Sequence, residues 1–353
     1  MGYPENLATE KGVLMDEALL YKMQNNFPLT PRPYATLGED LGISEEEVLQ
    51  RVRRLKDGGI IRQTSAIFDT KRLGYRSSLV AFKIPSERIE EAAEFINTHP
   101  GVSHNYERNH DFNLWFTLAV PPDSHLGLEG TIAHLKRITR AEAAITLPTL
   151  KMFKISVKLD TTGKQSKKEK IQAKSYKPIK MKARHYAVIR ELQKDLPVTP
   201  QPFMGAVSRL GMSYDEFFTL AESLKEAGVM RRFATILNHR KAGFTANAMS
   251  VWKVPEDRAE ELGQKIAEFR AVSHCYLRPT YPQWPYNLFA MVHAKSQEAC
   301  DGVIEEIARE TGLTEYAKLY STREFKKKRL VYFDPAFLAW EEEQMRQYPV
   351  VLE

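Results

Sequence analysis

The chain repeats itself, and this constrains its fold more than any other feature. LPVTPQPF (196–203) restates FPLTPRPY (27–34), so Phe27 pairs with Leu196. RLGMSYDEF restates DLGISEEEV, pairing Gly42 with Gly211, and AGVMRRFATI restates GGIIRQTSAI, pairing Gly59 with Gly228. Lys83-Ile84-Pro85 returns as Lys253-Val254-Pro255, and VSHNY returns as VSHCY. A repeat of this length across 353 residues marks a duplicated and fused domain. Any architecture must therefore be built twice and then joined.

Each copy opens with a helical pattern. In the first, helical spacing from Asp16 is interrupted by the three prolines of FPLTPRPY, a short helix follows from Tyr34, and Gly42 stops it. Ser44 ahead of Glu45, Glu46 and Glu47 is an N-cap with an acidic first turn, and the helix it opens buries Val48, Val52 and Leu55. Helix, short helix, turn, helix is a winged helix-turn-helix pattern, with IIRQTSAIF as the wing. An alternating strand at 78–84, an amphipathic helix at 87–98, two short strands, a helix at 123–139 and an extended stretch at 144–159 then give the ferredoxin-like order βαββαβ. The expected class is α+β, as two tandem repeats of helix-turn-helix plus ferredoxin-like domain. The expected boundaries are 1–65 (leader and first helix-turn-helix), 66–160 (first ferredoxin-like domain), 161–182 (Lys-rich solvated linker), 183–234 (second helix-turn-helix), 235–335 (second ferredoxin-like domain) and 336–353 (C-terminal tail).

A net charge of +6 and a pI near 9.0 suit an anionic partner, although part of the excess sits in the run 164–182. Two cysteines, Cys275 and Cys300, make neither a zinc set nor a disulfide framework, which fits a reducing cytoplasm. No apolar run approaches the roughly 20 residues that cross a bilayer. There is no Gly-rich phosphate loop, nucleophile elbow or nicotinamide fingerprint. Any chemistry must rest on acids, bases and electrostatics, or on a ligand that brings its own electronics.

The candidate site is the stretch VSHNYERNHDFNLWF (102–116) and its return, VSHCYLRPTYPQWPYNLF (272–289). Alternate strand residues share a face. His104, Tyr106, Arg108 and His110 therefore line one face of the first copy, and His274, Tyr276 and Arg278 one face of the second. Each face offers a titratable ring, a phenol and a fixed positive fork. Asn113 and Asn287 follow in the next strands, and His293 falls beside the second motif. The second copy inserts a Pro/Trp-rich loop at 280–285, where Tyr281, Trp284 and Tyr286 either pack on a flat aromatic ligand or form a rigid turn over the core. Arg62 and Arg231-Arg232 lie at matched wing positions, as surface charges or as carboxylate clamps. The helix RVRRLK, with Arg51, Arg53, Arg54 and Lys56, is the best DNA-reading candidate, but its counterpart DEFFTLAESLKEAG is acidic. A fused pair with one crippled reader argues against operator binding.

With these residues in view, the chain resembles the siroheme decarboxylases, relatives of the Lrp/AsnC regulators. The resemblance spans roughly 16–160 and 184–333. FPLTPRPY, RNHDFNLWFTL and LPTLKMFKI resemble one subunit type, and VSHCYLRPTYPQWPYNLFAMVHA with LYSTREFKKKRLVYF the other. In the regulators the central turn tends to read Gly-Asp-Tyr-Asp; here it reads His110-Asp111-Phe112-Asn113, which weakens an amino-acid-responsive role. The resemblance implies loss of two acetate carboxyls of siroheme, at C12 and C18, to give didecarboxysiroheme for haem or haem d1. It implies no added cofactor, because iron enters with the substrate; ligation of that iron by one of the histidines stays open, and the sequence offers no metal site of the protein's own. Under this reading His110 and His293, at related edges of the two copies, are the leading general acids, with His104 and His274 as alternatives. Arg108 and Arg278 anchor carboxylates, with Arg62, Arg231 and Arg232 behind them. Tyr106 and Tyr276 donate hydrogen bonds or pack, and Trp284 and Tyr286 form an aromatic wall. The resemblance implies siroheme as partner, no specific DNA and no membrane, and an internal pseudo-heterodimer. Two other readings stay open: an Lrp/AsnC-type DNA-binding regulator and a non-catalytic tetrapyrrole sensor.

Overall fold

The structure, a computed structural model, describes residues 10–25, 27–155, 176–238 and 246–348. The start of the expected leader and most of the Lys-rich linker lie outside these. The first copy contributes α1 (Glu10–Asn25), α2 (Pro33–Leu41), α3 (Glu45–Asp57), β1 (Ile61–Phe68), β2 (Arg76–Lys83), α4 (Ile89–Thr98), β3 (Val102–Arg108), β4 (Leu114–Val120), α5 (Gly127–Thr139), β5 (Ala143–Leu147) and β6 (Lys151–Ile155). The second contributes α6 (Ala183–Leu192), α7 (Met204–Leu210), α8 (Tyr214–Glu226), β7 (Met230–Leu237), β8 (Ala246–Trp252), α9 (Ala259–Glu268), β9 (Val272–Leu277), β10 (Leu288–Ala294), α10 (Gln297–Thr311) and β11 (Tyr316–Lys327), followed by α11 (Ala336–Gln347). These elements sort into two compact units by type rather than by copy: one gathers both helix-turn-helix segments, the other both ferredoxin-like segments.

In the helical unit the duplicated signals act alike. Gly42 and Gly211 end α2 and α7 in left-handed conformation (φ 68° and 58°), where a side chain would be strained. Ser44 and Ser213 then accept from the backbone N–H of Glu47 and Glu216, at 3.2 and 3.1 Å, and start α3 and α8. The wing differs from expectation. β1 pairs antiparallel with β7, from Ile61 opposite Leu237 to Phe68 opposite Met230, so the two wing segments make one shared ribbon. A lone strand leaves its backbone edge unsatisfied, and its duplicate supplies the missing ladder. Phe27 and Phe203, one from each copy, both pack on the ring of Phe233, at 5.5 and 5.7 Å.

The other unit is a nine-stranded sheet in the order β5-β2-β4-β3-β11-β8-β10-β9-β6. Each copy keeps the ferredoxin-like order, β5-β2-β4-β3 and β11-β8-β10-β9, with its helices on one face over its own apolar core. The faces without helices share a third core, in which Trp115, Ile145 and Leu147 of the first copy meet Met249, Phe289 and Leu319 of the second. The edges are exchanged. After β5 the first copy sends β6 to pair with β9, and β11 runs past β8 so that Ser321 to Lys327 pair with β3. The extended stretch expected at 144–159 is thus two strands serving different copies.

Residues 336–353, expected as a tail, carry α11, which docks on the first copy. Trp340 joins the core under α4 and donates to the Thr98 hydroxyl at 2.9 Å. Buried Glu341 accepts from the Ser124 hydroxyl and the His125 N–H, at 2.5 and 2.7 Å.

Candidate active site in the ferredoxin-like pair

The strand pairing puts the candidate residues on the shared inner face. In an antiparallel pair, directly opposed residues point the same way. His104 opposes Thr117, and Tyr106 opposes Trp115 of the shared core. In the second copy His274 opposes Met291 and Tyr276 opposes Phe289. The expectation of one face per copy holds for His104 with Tyr106 and for His274 with Tyr276, whereas His110 lies beyond the strand; the two faces point into one sandwich. The hairpin ends are held by the paired asparagines. Asn113 accepts from the Ile84 N–H at 2.9 Å and donates to its carbonyl at 2.7 Å; Asn287 does the same with Val254, at 2.9 and 2.8 Å.

Arg108 and Arg278 occupy equivalent places at the ends of β3 and β9. Both are buried, 5% and 8% exposed. Each reaches into the other copy: Arg108 Nη1 donates to the Leu319 carbonyl at 2.7 Å, and Arg278 Nη1 to the Leu147 carbonyl and, at 3.3 Å, to the Thr149 hydroxyl. Tyr106 lies 5.6 Å from the Arg108 guanidinium and Tyr276 4.8 Å from that of Arg278. Among the described residues neither guanidinium has a carboxylate partner, and each leaves a buried Nε unbonded. Burial without a counter-charge pushes both pKa values down to about 10, against a smaller raising effect of the neighbouring tyrosine.

The histidines do not gather as expected. His110 lies in the turn after β3, where its Nδ1 accepts from the Phe112 N–H at 3.0 Å and its ring meets Trp284 edge-on at 5.1 Å. Burial lowers its pKa, with Asp111 opposing. His293 opposes Asn247 and donates its backbone N–H to Ala271, so it sits where β10 ends and β9 begins. His110 and His293 therefore mark opposite ends of the repeated hairpin, not related edges. Counting from the paired asparagines, the first-copy equivalent of His293 is Ala119. His293 instead joins His274. The Ser273 hydroxyl lies 2.7 Å from His274 Nδ1 and 2.8 Å from His293 Nε2. In the first copy the Ser103 hydroxyl lies 3.0 Å from His104 Nδ1, but its second partner is the Thr117 hydroxyl at 2.7 Å. Neither serine was singled out from sequence, though the repeated Val-Ser-His tripeptide was the available signal.

Trp284 is fully buried, so it presents no ring face to a ligand. It fills the shared core against Trp115, Phe112 and Tyr286, at 5.1, 6.4 and 5.2 Å. An indole of this size gains more from filling a core than from a half-wet surface. Tyr281 and Tyr286 are both half-buried; Tyr281 donates its hydroxyl to the Thr146 carbonyl of the first copy, and both remain available to meet a ligand.

The remaining candidates belong to the helical unit. Arg62 is exposed on β1, Arg231 pairs with Asp69 at 2.7 Å, and half-buried Arg232 has its pKa lowered by burial. Arg51 and Arg54 both bind the buried carboxylate of Asp16, Arg53 donates to the Val198 carbonyl at 3.1 Å, and Lys56 pairs with Asp195 at 2.7 Å. The basic face of α3 is thus engaged within its own unit. Among the described residues there is no cluster of metal-ligating side chains.

The elements define a class: helix-turn-helix segments joined to AsnC-like ligand-binding domains, each present twice. Models of the AsnC-like ligand binding domain match residues 72–154 and 241–326, and those of the siroheme decarboxylase NirDL-like HTH domain match 16–62 and 186–231. A siroheme decarboxylase from Hydrogenobacter thermophilus is 44% identical over 324 residues, covering 92% of this chain and 96% of that protein. The crystal structure of the siroheme decarboxylase NirDL in co-complex with an iron-uroporphyrin III analogue superposes with a TM-score of 0.77 at 38% identity, over 94% of this chain and 99% of that one. The siroheme decarboxylase beta subunit of Methanosarcina barkeri is 46% identical over 140 residues, 40% of this chain and 92% of that subunit. The chain belongs to the siroheme decarboxylase family of carboxy-lyases, in its fused single-chain form.

Proposed function

We propose that this protein decarboxylates siroheme at two acetates, C12 and C18, giving didecarboxysiroheme for haem or haem d1 formation. The observation that carries this reading is the pair of buried arginines, Arg108 and Arg278, without carboxylate partners among the described residues. Holding an unpaired charge out of water costs several kcal/mol. A polycarboxylate tetrapyrrole would offset that cost by docking carboxylates on both forks, bidentately and at matched positions. Those carboxylates are the ones that stay. Replacing a departing carboxyl by hydrogen consumes one proton at carbon, so the site needs acids. His110, and the pair of His293 and His274, serve that role, with His104 as the first-copy counterpart of His274. Tyr106 and Tyr276 donate hydrogen bonds or pack, and Tyr286 covers the macrocycle with Trp284 as its support.

Iron enters as part of the substrate, and the reaction needs no added cofactor. The two copies act as an internal pseudo-heterodimer, a reading supported by relatives in which a separate subunit matches part of this chain. The arginines of α3 are bonded internally, which supports the absence of specific DNA binding. Two free, buried cysteines fit a cytoplasmic setting, and no described helix is long and apolar enough to cross a membrane. Anaerobic incubation with siroheme, followed by mass spectrometry, tests the proposal. Loss of two CO2 units is expected. Tight pigment binding with unchanged mass would replace the enzyme with a sensor.

A further inference from the structure

We infer that Ser273 is a positioning residue that couples His274 and His293 into one proton-sharing pair, present in the second copy and absent from the first. The inference deepens the proposed decarboxylation and rests on that reading for its catalytic consequence. The coupling itself rests on geometry. One hydroxyl, on a residue 5% exposed, lies 2.7 Å from His274 Nδ1 and 2.8 Å from His293 Nε2. The Met291 carbonyl is a third and longer partner, accepting from the same hydroxyl at 3.4 Å. A serine hydroxyl carries one proton. When both rings are neutral and the hydroxyl donates to the nearer acceptor, a ring nitrogen, it accepts N–H from the other ring, so the tautomer of one histidine sets that of its partner.

With one ring protonated, the same contacts carry a proton. His293 gives its Nε2 proton to the Ser273 oxygen as the original hydroxyl proton passes to His274 Nδ1. One N–H bond and one O–H bond break, one O–H and one N–H form, and the positive charge moves from His293 to His274. The reverse step returns it. No atom or electron is gained or lost. Two decarboxylations consume two protons, and a pair joined in this way holds a proton in reserve behind the ring that delivers the first.

The first copy lacks the device. Ser103 keeps its contact with His104 Nδ1, but its other partner is the Thr117 hydroxyl, which does not titrate near neutrality. At the position of Thr117 the second copy has Met291, and the ring that replaces the lost hydroxyl comes from two residues further on.

The test compares Ser273→Ala, Ser273→Thr and Ser103→Ala in the full chain labelled with 15N-histidine. One arm reads imidazole nitrogen shifts without substrate; the other reads single-turnover siroheme decarboxylation. In Ser273→Ala the His274 and His293 signals should move together and the rate should fall at least 10-fold, with the melting temperature held within a few degrees. Ser273→Thr, which keeps the hydroxyl, should restore both readouts. Ser103→Ala should move the His104 signal alone and lose at least threefold less rate. Independent shifts of the two rings would overturn the coupling, whatever the rate. Joint shifts with an unchanged rate would leave Ser273 structural and overturn its positioning role. If the wild-type chain does not decarboxylate siroheme, the proposed function fails, while the nitrogen shifts still decide the coupling.

Discussion

The β3–β4 and β9–β10 hairpins read as two versions of one hairpin, and they agree in what holds them and differ in what they can do. Both keep the asparagine clamp, the buried arginine reaching into the other copy, and a histidine hydrogen-bonded to the preceding serine. They part at the two ends. At the turn the first copy places His110, and the second places the loop that buries Trp284 against it. At the far end the second copy has a two-histidine relay where the first has a hydroxyl pair. Duplication preserved the frame, because each copy's arginine and edge strand complete the other. The proton-carrying groups were freer to diverge.

The largest expected effect breaks this comparison at its acids. His110→Ala and His293→Ala should each lose about 10²–10⁴-fold in single-turnover rate while still binding siroheme. Because the two rings lie at opposite ends of the hairpin, the variants should accumulate singly decarboxylated product to different extents, read by mass spectrometry. Equal stalling would mean that the two ends serve the same step.

Next in size are the arginines. Arg108→Met and Arg278→Met should each weaken siroheme binding by about 2–5 kcal/mol, seen in pigment titration. Removing an unpaired buried charge relieves a desolvation cost but leaves the Leu319 or Leu147 carbonyl without its arginine donor, so melting temperatures should move by only a few degrees. A large fall in melting temperature with unchanged affinity would assign both to the frame alone.

A smaller effect sharpens the contrast in stability. His99, at the end of α4 against Trp340, corresponds to Phe269 at the end of α9. Burial lowers the His99 pKa to about 3 from its ordinary 6.5. The fold favours the neutral ring, so its full contribution is present above pH 6.5 and is lost as pH falls from there towards 3. At about 1.4 kcal/mol per pH unit, the loss reaches roughly 2 kcal/mol by pH 5. His99→Phe, which copies the second half, should flatten the fall of melting temperature between pH 7 and 5. An unchanged slope would locate acid sensitivity elsewhere.

The smallest expected signal is DNA binding: weak, salt-sensitive and indifferent to sequence in a gel-shift series. Tight, selective retention of a palindromic site would mean that α3 frees Arg51 and Arg54 from Asp16.

Much of this was legible in the chain. Capping serines, stop glycines and the strand–helix alternation are local signals, and the repeat confirmed each by stating it twice. Alternation along VSHNYER placed His104, Tyr106 and Arg108 on one face without knowledge of the partner strand. What escaped depended on contacts distant in sequence. Nothing local says that β6 leaves its own copy, that β1 seeks β7, or that α11 covers α4. Trp284 was equally ambiguous, because a tryptophan between prolines reads the same over a ligand or a core. The relation of His293 to Ser273 required the register of β10 on β9 and the bulge within it.

The exchange of β6 and β11 also bears on how the chain is made. β3 is the edge of the first copy until Ser321–Lys327 arrive to pair with it, about 200 residues later in translation. At about 5–20 residues per second, the nascent chain carries that open edge for roughly 10–40 s. During that interval the emerging protein has a strand with one unpaired side. The first half therefore leaves the ribosome sticky, and only synthesis of the second half's last strand closes it.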